Sequence, residues 1–128
     1  MQKKKKILVV DDEADILDLL TNRLKANNYD VVTAVDGEDA LDKLSKERPD
    51  AILLDIMMPR IGGLDVLKKI RETDKDLPIF MITAYSNEER FKIANQFNAS
   101  GFIIKSDDFQ TQIEQISSII NVAEKHKK

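Results

Sequence analysis

Ile7-Leu8-Val9-Val10-Asp11-Asp12-Glu13 is an unbroken apolar run that stops abruptly at three acids. A strand covered on both faces reads as a continuous, β-branched apolar stretch rather than as an alternation. The run therefore predicts an interior parallel strand whose carboxyl end carries carboxylates. Working outward, the same form recurs as Val31-Val32-Thr33-Ala34, Ala51-Ile52-Leu53-Leu54 after Pro49, Ile79-Phe80-Met81-Ile82 after Pro78, and Gly101-Phe102-Ile103-Ile104. Between these runs the apolar period changes to that of a helix. Ala14 to Asn27 carries Leu17, Leu20 and Leu24, and Gly37 to Glu47 carries Ala40, Leu41 and Leu44. Gly62 and Gly63 precede a third helix using Leu64, Leu67 and Ile70. Ser86 with Glu89 forms a capping box for a fourth. Phe109, Ile113, Ile116 and Ile120 stripe a fifth, with Ser106 as N-cap and Asp107 and Asp108 beside its positive end. Five βα units without a break imply an α/β, doubly wound fold with a five-stranded parallel sheet and helices on both faces.

The 128 residues suit one domain, 1–128, with no room left for an output domain. Net charge is −3, and the lysines crowd at Lys3 to Lys6 and at Lys125, Lys127 and Lys128. These runs read as solvated tails, so neither direct DNA binding nor a membrane partner is expected. The absence of cysteine excludes disulfides and thiolate metal sites. His126 stands alone in the basic tail, which excludes a histidine-ligated metal and a Ser-His-Asp triad. No apolar run approaches the ~18–20 residues needed to cross a bilayer, and the lysine-rich start lacks a signal peptide's apolar stretch. A cytoplasmic location is expected.

In open parallel sheets ligands sit outside the carboxyl ends of the strands. Strand one is followed there by Asp11, Asp12 and Glu13, strand three by Asp55, strand four by Thr83 and Ala84, and strand five by Lys105. Strand two offers only Val35 and Asp36. Those four strand ends would be neighbours in a sheet of order 2-1-3-4-5. Carboxylates forced together repel unless a cation intervenes, and oxygen donors alone select Mg2+, or Mn2+ as substitute. Lys105 supplies a fixed positive charge for phosphate oxygens and Thr83 a neutral donor. Such a set suits phosphoryl transfer, whose transition state spreads charge over equatorial oxygens. A lone aspartate after a strand is usually a turn former or cap. Convergence at four strand ends is not explained that way.

These residues resemble the receiver domain of bacterial response regulators, the CheY-like family. The resemblance runs from about Lys4 to Asn121. It rests on Ile7 to Glu13, on Asp55-Ile56-Met57-Met58-Pro59 with Gly63, on Thr83-Ala84, and on Gly101 to Lys105. It implies a flavodoxin-like (βα)5 three-layer sandwich and in part supplies the 2-1-3-4-5 order. It further implies that Asp55 accepts a phosphoryl group from a sensor histidine kinase or phosphotransfer protein. Asp12, Asp55 and the Met57 backbone carbonyl would hold Mg2+, with Asp11 acting through water. Lys105 and Thr83 would hold phosphoryl oxygens. Thr83 and Phe102 would form a switch that remodels the helix 4–strand 5–helix 5 surface for a downstream protein target. Beyond its own phosphorylation and dephosphorylation no enzyme activity is expected, and the state is monomer or weak phosphorylation-dependent dimer.

Ser106 stands where the family usually has a cis proline. A cis non-proline bond costs ~2.5–4 kcal/mol, so Lys105–Ser106 is expected trans. Phe102 replaces the usual tyrosine, and Gly62 an aspartate or asparagine. Met57 and Tyr85 lie two positions after Asp55 and Thr83, where large side chains would shield a phosphoryl group from water. Three rivals share some features. A flavin carrier needs a Ser/Thr/Gly-rich phosphate loop after strand one, where acids stand. A haloacid-dehalogenase-type phosphatase needs Asp-x-Asp there. A receiver excised from a larger DNA-binding regulator would carry its helix-turn-helix elsewhere.

Overall fold

Every strand of the centre is apolar because it is covered twice. The computed structural model describes residues 4–83, 88–104, 113–114 and 117–118. In chain order these form β1 (Lys6–Val10), α1 (Ala14–Ala26), β2 (Asp30–Ala34), α2 (Gly37–Glu47) and β3 (Ala51–Asp55). They continue with α3 (Gly63–Arg71), β4 (Ile79–Thr83), α4 (Glu88–Gln96) and β5 (Gly101–Ile104). The strands pair in parallel in the order β2-β1-β3-β4-β5. This is the expected order and fold class.

Side chains of a strand alternate between faces, and here the alternation sorts the core into two layers. Ile7, Val9, Leu53, Phe80, Ile82 and Ile103 pack with Leu17, Leu20 and Leu24 of α1 and with Ile113. Leu8, Val10, Leu54, Ile79 and Met81 pack on the other side with Ala40 of α2, Val66, Leu67 and Ile70 of α3, and Ala94 of α4. Each fully buried aliphatic side chain contributes about 1.5–3 kcal/mol, so the two layers supply most of the stability. Val66 is fully buried although the sequence pattern singled out Leu64, which is half-buried. Of the fifth helix, residues 113–114 and 117–118 are helical. The Tyr29 hydroxyl meets Ser117 Oγ at 2.5 Å and ties this segment to the entry of β2. Ser86, Ser106, Phe109, Ile116 and Ile120 lie outside the described residues.

Local chemistry sets the helix ends. Asp36 Oδ1 accepts from the Asp39 amide at 2.8 Å and caps α2, which ends at Arg48 in the left-handed region, φ 48°. Gly62 caps α3 through an extended backbone, φ −76°, with no side-chain bond. Arg71 closes α3 from inside. Its Nε and Nη2 donate to the Asn98 carbonyl at 3.2 and 2.9 Å, and its Nη1 to the Asp74 carbonyl at 3.0 Å. Burial pushes its guanidinium below the usual arginine range, against the raising influence of Asp74 and Asp76.

Candidate functional site

Two strands of the sheet end in carboxylates at the same level. Asp55 and Thr83 are themselves the last residues of β3 and β4, one position further into the strands than the apolar runs suggested. Asp11 continues the ladder past β1, its amide donating to the Ala34 carbonyl at 3.1 Å. Its Oδ1 then accepts from the Glu13 amide at 2.9 Å, a turn that launches α1. Glu13 is the N-cap of α1 by backbone geometry and does not cap with its own side chain. That carboxylate lies in the acid cluster.

Asp55 is 2% exposed, and its Oδ1 accepts from the Met57 amide at 3.3 Å. Carboxylate oxygens of Asp11, Asp12, Glu13 and Asp55 all lie within 4.8 Å of one another. Asp11 and Asp55 form a buried floor, and Asp12 and Glu13 an exposed mouth. Two buried charges at that separation repel by about 3 kcal/mol at an effective dielectric of ~20. A hard divalent cation removes this repulsion and takes oxygen ligands. The donor set fits magnesium. Sequence reading named Asp11, Asp12 and Asp55 as ligands; Glu13 was only a neighbour in the run, because a residue's approach to β3 depends on the turn after β1.

The close approach of α3 completes the floor. A Cβ on Gly63 would lie 2.0 Å from the Asp55 carbonyl oxygen, and the Gly63 amide donates to the Ile56 carbonyl at 3.0 Å. Only glycine lets α3 begin directly behind Asp55. Met57, the second residue of the connecting loop, is 57% exposed.

Alternation divides the site by face. Asp11 and Asp55 follow Val9 and Leu53, on the α1 side. Thr83, 2% exposed, follows Ile79 and Met81 on the α2–α3–α4 side. Phe102 pairs in register with Met81, packs against that same layer, and holds its ring 4.5 Å from Phe91 of α4. Thr83 and Phe102 thus share the face that carries α4. Ile104, the register partner of Thr83, immediately precedes Lys105. Lys105, Ser106, their peptide bond and Tyr85 lie outside the described residues.

Comparison with known proteins follows the same lines. Residues 7–119 match the response regulator receiver domain model. The chain is 44% identical over 108 residues to the alkaline phosphatase synthesis transcriptional regulatory protein PhoP of Bacillus subtilis, covering 84% of this chain and 42% of PhoP. It is 48% identical over 79 residues to the response regulator MprA of Mycolicibacterium vanbaalenii, covering 62% of this chain and 34% of MprA. The chain therefore spans less than half the length of either. Among solved structures, a CheY-like receiver domain protein from Methanospirillum hungatei superposes with a TM-score of 0.92 at 27% identity, over 98% of this chain and 100% of that one. The response regulator TrrA of Thermotoga maritima, solved in complex with Mg2+-BeF, superposes with a TM-score of 0.83 at 38% identity, over 90% of this chain and 98% of its own. Fold, acid cluster and sequence agree throughout, and the chain belongs to the response regulator receiver domain family.

Proposed function

We propose that this chain is the phosphoacceptor of a two-component signalling pathway, with Asp55 as its nucleophile. The observation that carries this reading is the gathering of Asp55 with Asp11, Asp12 and Glu13 within 4.8 Å at one end of the sheet. An Asp55 oxygen attacks the phosphorus of a phosphohistidine on a histidine kinase or phosphotransfer partner. The phosphorus–nitrogen bond breaks, the imidazole leaves as a neutral ring after taking up a proton, and an acyl phosphate remains on Asp55. Bound magnesium, or manganese in its place, supplies charge neutralisation for the incoming phosphoryl oxygens. Asp12, Asp55 and the Met57 carbonyl would hold the ion, with Asp11 acting through water, and Glu13 stands at the mouth. Lys105 and Thr83 hold phosphoryl oxygens, and the chain's only chemistry is its own phosphorylation and dephosphorylation.

Occupation of the site draws Thr83 toward the phosphate and shifts Phe102 inward, altering the surface of α4 and β5 that a cytoplasmic protein target reads. The protein acts as a monomer or a weak phosphorylation-dependent dimer. Labelling by acetyl phosphate is expected to require Mg2+ and to vanish in Asp55→Asn; magnesium-independent labelling, or labelling of the variant, would sink the reading. Met57 and Tyr85 shield the acyl phosphate from water. A Met57→Asn, Tyr85→Ala double variant is therefore expected to lose phosphate about tenfold faster, measured by the decay of labelled protein.

PhoP is a transcriptional regulatory protein of which this chain covers 42%. That favours a second reading, in which residues 1–128 are the receiver part of a DNA-binding regulator rather than a stand-alone domain. The length of the open reading frame decides between them.

A further inference from the structure

We propose that the start of α2 is a clamp on the β3–α3 loop, with Asp36 and Arg60 as positioning residues for the metal-binding carbonyl of Met57. The inference rests on the reading of Asp55 and Met57 given above. The loop between Asp55 and Gly63 is fastened at its near end by the Gly63 amide on the Ile56 carbonyl, 3.0 Å. Its far end is fastened to α2. Arg60 Nη2 donates to Asp36 Oδ2 at 2.8 Å, while the other oxygen of that carboxylate caps α2 through the Asp39 amide at 2.8 Å. The next pair along also meets: a Cβ on Gly37 would lie 2.9 Å from Ile61 Cβ, Cγ2 and O. The N-cap and first residue of α2 thus grip two consecutive residues of the loop, and Met57 lies between the fastenings.

Arg60 adopts φ 64°, a left-handed conformation that a β-carbon disfavours. Its side chain is 67% exposed, and exposed ion pairs add little to global stability. The pair instead holds a loop shape that the backbone alone would leave. A different role, simple electrostatics, makes an opposing prediction. Removing a positive charge from the loop that follows Asp55 would tighten cation binding, whereas loss of a clamp would weaken it.

Magnesium affinity measured calorimetrically on the full chain separates the two. Asp36→Asn keeps an acceptor for the Asp39 amide and loses only the charge pair. We expect Asp36→Asn and Arg60→Gln each to bind Mg2+ about three- to fivefold more weakly than wild type. Amides 57–61 of metal-free Asp36→Asn should exchange at least about threefold faster than in wild type, as local opening becomes easier. Unchanged or tighter binding by Arg60→Gln, or unchanged exchange in Asp36→Asn, overturns the clamp. A wild-type chain that binds no magnesium overturns the site reading instead, and the metal-free exchange rates still decide the clamp.

Discussion

Asp55 is held in a place where a carboxylate is poorly accommodated without help. It is 2% exposed, it shares its surroundings with the buried Asp11, and it accepts from the Met57 amide at 3.3 Å. Replacing it by asparagine keeps an acceptor for that amide and deletes a negative charge. In metal-free buffer Asp55→Asn is therefore expected to be more stable than wild type by about 1–2 kcal/mol, read from urea unfolding. Magnesium at a hundredfold its Kd adds about 2.7 kcal/mol to the wild type and much less to the variant. A variant less stable than wild type, or one equally stabilised by magnesium, contradicts the account. Functional geometry here is maintained against local electrostatic preference, as expected when a site is kept for chemistry.

At the scale of elements, the junction of β3 and α3 is the most exacting. The Gly63 amide bonds the Ile56 carbonyl while its α-carbon backs onto the Asp55 peptide. Gly63→Ala would place a methyl 2.0 Å from a backbone oxygen that cannot move without displacing β3. A loss of about 3 kcal/mol or more is expected, with weakened magnesium binding; thermal melts that match wild type would refute the contact. Gly62 is the opposite case, since its φ of −76° suits any residue. Elements were legible in the sequence where one physical signal dominates. The strands show as β-branched apolar runs because both faces are covered, and the carboxylates show because they terminate those runs. The Asp36–Arg60 pair, the Arg71 bridge to Asn98 and the place of Glu13 did not show. Each depends on how a loop bends and joins positions far apart in the chain, which local periodicity does not encode.

For the molecule as a whole, the sheet separates the acid cluster from the Phe91–Phe102 contact. Asp11 and Asp55 belong to the α1 layer, whereas Thr83 and Phe102 belong to the layer carrying α4. Under the proposed function, a phosphoryl group on Asp55 would reach the Phe91–Phe102 contact through the end of β4, across the thickness of one sheet. The strand order β2-β1-β3-β4-β5 has a kinetic corollary as well. The acid cluster unites residues that are remote in sequence, and it exists only once β1 and β3 have zipped to their carboxyl ends. A cation bound there acts on the finished structure and not on the nucleus that precedes it. In stopped-flow experiments magnesium should slow the unfolding limb of the chevron and leave the refolding limb nearly unchanged. An equal acceleration of refolding would mean that the β1–β3 tips meet before the barrier, so that the signalling site would double as a folding nucleus.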